Sequence, residues 1–153
     1  MRGEKKKVVV DTSVVVASIL GRPNAAPARI VKAMLNGAFK VYSSREAMEE
    51  LYKVLISERL MRLLRGRSEV AILTYILMNS IVILVEPKKH ISACRDLDDD
   101  KFLEIAYEIK ADYLVTLDKD LLDLRDENSE VKLFEQKVKI LRPSELLKRL
   151  GEQ

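Results

Sequence analysis

Val8-Val9-Val10-Asp11-Thr12-Ser13 holds, in six residues, a strand and the acid that ends it. Three successive β-branched residues favour an extended run. Beyond Asp11 the apolar positions Val14, Val15, Ala17 and Ile19 relax into a helical face that stops at Gly21. The same alternation repeats downstream. Pro27, Ile30, Val31, Met34 and Leu35 give helical spacing up to Asn36-Gly37, and Phe39 to Tyr42 is a second strand. Ser43 or Ser44 caps a helix whose stripe is Ala47, Met48, Leu51, Val54 and Leu55. Short helices are expected around Leu60 to Leu64 and from Ser68 through Met78, and Ile81 to Val85 is a third strand ended by Pro87. A polar loop leads to a helix starting near Asp99 or Asp100, marked by Phe102, Ile105, Ala106 and Ile109. Tyr113 to Thr116 is a fourth strand, Val138 to Leu141 a fifth, and Pro143 to Leu150 a closing helix.

Strands that alternate with helices and read as continuous apolar runs belong to a parallel sheet covered on both faces. The expected fold is therefore α/β, a three-layer α/β/α sandwich with a mostly parallel central sheet. The chain has 153 residues and 17.5 kDa, with no linker or repeat between its elements, and is read as one domain over 1–153.

With 48% hydrophobic residues and a net charge of only +3, the composition excludes a disordered chain. No apolar run approaches the ~20 residues of a membrane span, so no membrane partner and a cytoplasmic location are expected. A single cysteine, Cys94, and a single histidine, His90, exclude zinc-finger, Cys-His and disulfide-scaffold chemistry. Any reaction must use oxygen ligands, lysines or hydroxyls.

In open α/β sheets ligands bind beyond the carboxyl ends of the strands. Asp11 follows the first strand, Glu50 lies two turns into the helix after the second, Asp98, Asp99 and Asp100 open the helix after the third, and Asp118 and Asp120 follow the fourth. Like charges gathered at one edge call for a cation, and an all-oxygen ligand set favours Mg2+ or Mn2+, which bind phosphates in their remaining positions. Phosphodiester hydrolysis is the leading reaction class. The ordinary alternatives are a helix-capping Asp11, acids favoured at a helix start by its dipole, and turn-forming Asp118 and Asp120. A phosphoryl-accepting receiver domain is disfavoured, because no second acid stands beside Asp11.

Val-Val-Val-Asp11-Thr12-Ser13, Ser44-Arg45-Glu46-Ala47-Met48-Glu49-Glu50-Leu51, Arg95-Asp96-Leu97-Asp98-Asp99-Asp100-Lys101-Phe102-Leu103 and Tyr113-Leu114-Val115-Thr116-Leu117-Asp118-Lys119-Asp120-Leu121 occur in an order that resembles the PIN domain, especially its toxin branch. The resemblance runs from about Val8 to Leu150. It implies a metal-dependent ribonuclease, the toxin of a toxin-antitoxin pair, often a homodimer and in some members blocked by an antitoxin in the cleft. Carried over by position, the catalytic and metal-binding acids are Asp11, Glu50, Asp100 and Asp118. Asp98 and Asp120 are auxiliary, and Thr12, Ser13 and Thr116 hold carboxylates or waters. Arg45 and Ser13 depart from the proline and asparagine common in relatives. A processing or quality-control nuclease for ribosomal or transfer RNA shares the same chemistry, and a catalytically silent RNA- or protein-binding module is the reading from another class.

For the RNA partner, Arg59, Arg62 and Arg65 recur every three residues and could track phosphates, with a solvated helix face as the plainer reading. Lys119 sits between two site acids. Val70 to Met78 is apolar on more than one helical face, which suits either a dimer interface or a central core helix.

Overall fold

The computed structural model describes residues 4–151. The first β-branched run forms β1 (Lys7–Val10), which is followed by α1 (Thr12–Leu20), α2 (Ala26–Leu35), β2 (Lys40–Ser43) and α3 (Arg45–Leu55). Two more helices, α4 (Glu58–Leu64) and α5 (Ser68–Ile81), lead to β3 (Ile83–Leu84). A 3-10 turn over Leu97–Asp99 runs directly into α6 (Asp100–Ile109), and β4 (Tyr113–Val115), α7 (Lys119–Leu122), β5 (Glu130–Leu133), β6 (Gln136–Leu141) and α8 (Pro143–Arg149) complete the chain.

The strands form one sheet in the order β3-β2-β1-β4-β6-β5, parallel throughout except for the antiparallel β5–β6 pair. Successive residues of β1 serve opposite faces. Val8 packs into a core with Ile30, Leu51, Leu64, Val115 and Leu146, contributed by strands and by α2, α3, α4 and α8, whereas Val9 packs with Phe102, Ile105, Ala106, Leu114 and Ile140 under α6. The architecture is the expected three-layer sandwich.

Two elements differ from the sequence reading. Helix α5 continues through Ile81, so the third strand shrinks to two exposed residues on the sheet edge. Glu130–Leu133, which the sequence reading assigned to no strand, is the edge strand β5. Its residues are only half-buried until Leu133, so it lacks the apolar run that marks a central strand. Phe134 closes the hairpin in the left-handed region at φ 56°.

The topology decides where a site can lie. From β1 the chain moves outward through β2 to β3, then returns to place β4 on the other side of β1. The switch point falls between β1 and β4, whose carboxyl ends lead into Asp11 and into Thr116 to Asp118.

Candidate active site

Asp11 sits at the end of β1, where its backbone N–H donates to the Val115 carbonyl of β4 at 3.0 Å and so ties the two strand ends together. Its side chain is buried, and Oδ2 accepts from Thr116 Oγ1 at 2.6 Å and from Ser13 Oγ at 2.9 Å. Burial pushes the Asp11 carboxyl above the ordinary carboxylate range; the two hydroxyls oppose that shift, and the nearby Asp118 and Glu50 charges add to it.

Thr116, fully buried, also accepts from the Asp118 backbone N–H at 2.9 Å. One hydroxyl thereby sets both the Asp11 carboxylate and the start of the loop after β4. Asp118 caps α7, with Oδ1 accepting from Asp120 N at 2.8 Å. Ser13 Oγ receives the Leu117 N–H at 3.1 Å, a second tie between the β1 and β4 ends.

The third acid comes from the turn before α6. Asp99, Asp118 and Asp120 each present a carboxylate oxygen, and these oxygens lie within 4.8 Å of one another. Asp99 is buried, and its Oδ2 is the one buried side-chain oxygen among the described residues that has no hydrogen-bond partner. Burial, close approach to Asp118 and the charges of Asp118, Asp11 and Asp96 push its carboxyl up to about 7. A buried, unpartnered oxygen facing two further carboxylates costs free energy that a hard divalent cation would recover. The donor set fits Mg2+ or Mn2+ and does not fit a soft metal.

Of the expected quartet Asp11, Glu50, Asp100 and Asp118, Asp118 belongs to the three carboxylates that lie within 4.8 Å of one another, and the charges of Asp118 and Glu50 reach Asp11. Asp100 Oδ1 accepts from Ala93 N at 3.0 Å and Cys94 N at 2.8 Å, pinning the loop before the acid triplet. The 3-10 turn ends on the buried Asp99, whose carboxylate joins those of Asp118 and Asp120. Extending the buried stripe Phe102, Ile105 and Ile109 one step of three residues back lands on Asp99, a signal already present in the sequence. Asp98 is exposed, and its N–H donates to Asp96 Oδ1 at 3.0 Å.

Glu50 is held by other groups. Thr12 Oγ1 donates to its Oε2 at 2.5 Å, and Lys101 Nζ donates to its Oε1 at 2.8 Å. Lys101, only 9% exposed, also donates to the Asp98 carbonyl and was not anticipated from sequence. Burial pulls its ammonium down, yet the bonded Glu50 carboxylate outweighs this and holds it above the ordinary lysine range.

An open groove of about 610 Å³ is lined by Glu46, Glu49, Glu50 and Asp98 together with Lys53, Ser57, Arg59 and Lys101. Arg62 and Arg65 are exposed, with Arg65 closing α4 in the left-handed region, and neither lines this groove. Lys119 is exposed at the first residue of α7. Arg95 Nη2 pairs with Asp120 Oδ1 at 2.8 Å and with Asp123 Oδ2 at 2.9 Å on the surface, where such pairs contribute little. The Cys94 thiol is raised far above its usual range by burial and by Asp100, so it stays protonated. His90, itself exposed, lies 3.0 Å from Glu104 and apart from the acids. Among the described residues no helix is long and apolar enough to cross a membrane.

Residues 7–120 match the sequence profile of a family described as PIN domain. The chain is also similar to an uncharacterized protein, MJ1680, of Methanocaldococcus jannaschii, with 33% identity over 144 residues that cover 94% of this chain and 90% of that one.

Proposed function

Since the chain belongs to the PIN-domain family, a family of nucleases, we propose that it is a Mg2+- or Mn2+-dependent endoribonuclease that hydrolyses RNA phosphodiester bonds at the acidic centre between β1 and β4. The observation that carries this reading is the buried, unpartnered Asp99 Oδ2 beside the carboxylates of Asp118 and Asp120.

Asp99, Asp118 and Asp120 hold the ion in this reading, and Asp11 adds an oxygen from the end of β1. An ion held there would supply charge neutralisation at the phosphoryl group and activation of a water. Thr116 and Ser13 fix the Asp11 carboxylate, so that little reorganisation is needed when the site is loaded. Asp118 is fixed through its own N–H and through Asp120 N, with a carboxylate oxygen within 4.8 Å of those of Asp99 and Asp120. Attack by water leaves a 5′ phosphate and makes no use of the 2′ hydroxyl. Preference for RNA then comes from the groove, in which Lys53 and Arg59 contact the backbone.

The order of the four acid motifs further supports a toxin of a toxin-antitoxin pair, with a protein antitoxin as partner. The exposed apolar residues Ile72, Leu73, Ile76 and Leu77 on α5, with Tyr52 on α3 and Ile56 just past its end, support a homodimer.

The direct test is cleavage of a mixed single-stranded and structured RNA pool with Mg2+, Mn2+ or EDTA. Cleavage should require metal and fall on the order of 100-fold or more in Asp99→Asn and Asp118→Asn. Metal-independent cleavage, or full activity in both variants, overturns the proposal. For the toxin role, expression of the wild type should arrest growth and expression of Asp118→Asn should not.

A further inference from the structure

Lys101 places an ammonium against one of the acids that the β1–β4 edge gathers. It lies two residues past Asp99 on α6 and reaches Glu50 on α3, 51 positions earlier in the chain, at 2.8 Å. Its second bond, to the Asp98 carbonyl, anchors the ammonium to the turn that carries Asp99. The Glu50 side chain is 30% exposed in the groove, yet both its oxygens are engaged, one by Lys101 and the other by Thr12 Oγ1 at 2.5 Å. An ammonium 9% exposed is retained only where a carboxylate compensates it. The three-carboxylate set that converges within 4.8 Å leaves Glu50 out.

We propose that the Lys101 ammonium is a built-in cation that occupies the position of a second metal ion, so that the centre binds one divalent ion and Glu50 acts as a positioning residue rather than a ligand. The inference rests on the metal-centre reading above. Its physical basis is charge and occupancy. The single positive charge fixed between α3 and α6 neutralises Glu50 and repels a second ion from the same oxygens. What Glu50 then does is hold Lys101 and Thr12 in place between α3 and α6.

Mn2+ titration of the intact protein, read by calorimetry and by the paramagnetic signal of free Mn2+, tests this without an activity assay. The wild type should bind one equivalent. Glu50→Gln, which keeps an oxygen for Lys101, should also bind one, with affinity within about threefold of the wild type. Lys101→Met should take up a second equivalent as the Glu50 oxygens are released, and Lys101→Arg should return to one. Two equivalents on the wild type, a loss of tenfold or more in Glu50→Gln, or a single equivalent on folded Lys101→Met overturns the proposal; if Lys101→Met does not fold, Glu50→Gln decides. No Mn2+ bound by the wild type overturns the metal-centre reading itself, an outcome distinct from two.

Discussion

Asp99 carries the cost of the centre in its own ionisation. Burial and the neighbouring Asp118 push its carboxyl up from 3.8 to about 7. The native state therefore keeps a proton that the unfolded chain has already released, and folding loses stability as the pH rises from about 4 to about 7. Asp99→Asn removes that dependence. In EDTA the variant should melt with the wild type near pH 4 and progressively above it up to pH 7, beyond which the gap stays constant. Mn2+ should reverse the order by stabilising only the wild type. Thermal melts across this pH range, with and without metal, check both parts.

Thr116 makes the opposite kind of contribution. Its hydroxyl donates to Asp11 and accepts from Asp118, and it is fully buried. Thr116→Val keeps the shape and removes both bonds. Stability should fall by about 1–3 kcal/mol, because a buried N–H loses its acceptor, and Mn2+ affinity should drop about 10–100-fold. Denaturant melts and metal titration measure the two effects separately.

At the scale of the element, the 3-10 turn and first turn of α6 divide three consecutive aspartates among three tasks. Asp98 stays in solvent, Asp99 enters the cleft, and Asp100 receives two backbone N–H groups from the preceding loop. Asp100→Ala should therefore act on stability, with a loss of about 1–3 kcal/mol and faster amide exchange at Ala93 and Cys94. Its effect on Mn2+ affinity should be smaller than that of Asp99→Asn, a ranking that would be inverted if Asp100 were the ligand. Consecutive identical residues offer no chemical contrast, so local composition could not apportion these tasks, although the α6 stripe extended backwards does point to Asp99. The two-residue β3 and the edge strand β5 were obscured for a related reason. Edge strands are half solvated and need no continuous apolar run.

At the scale of the whole molecule, α3 and α5 present an exposed apolar surface. Tyr52 and Tyr75 meet edge to face at 5.3 Å, and Leu55, Ile56, Ala71, Ile72 and Ile76 complete a pocket of about 210 Å³ with them. The proposed homodimer would bury this face. Sedimentation should give a dimer for the wild type and a monomer for Ile76→Asp, with the melting temperature of the monomer domain little changed because Ile76 is already 56% exposed. A wild-type monomer at the concentrations of the assay would overturn the dimer.

The sequence by itself determined the layer architecture, since β-branched runs alternating with amphipathic helices can bury their apolar residues only in a covered, mostly parallel sheet. It also determined that acids would gather at one edge, because strand ends in such a sheet share a direction. Which carboxylates converge was decided by the tertiary structure, apart from the pointer to Asp99 in the α6 stripe. Thr116 had to reach Asp11 across the β1–β4 switch point, Lys101 had to cross from α6 to Glu50 on α3, and Asp100 had to engage Ala93 and Cys94. Those choices depend on angstrom-scale distances between residues up to 105 positions apart, and hydrogen bonding is short-ranged and directional in a way that periodicity along a chain does not encode.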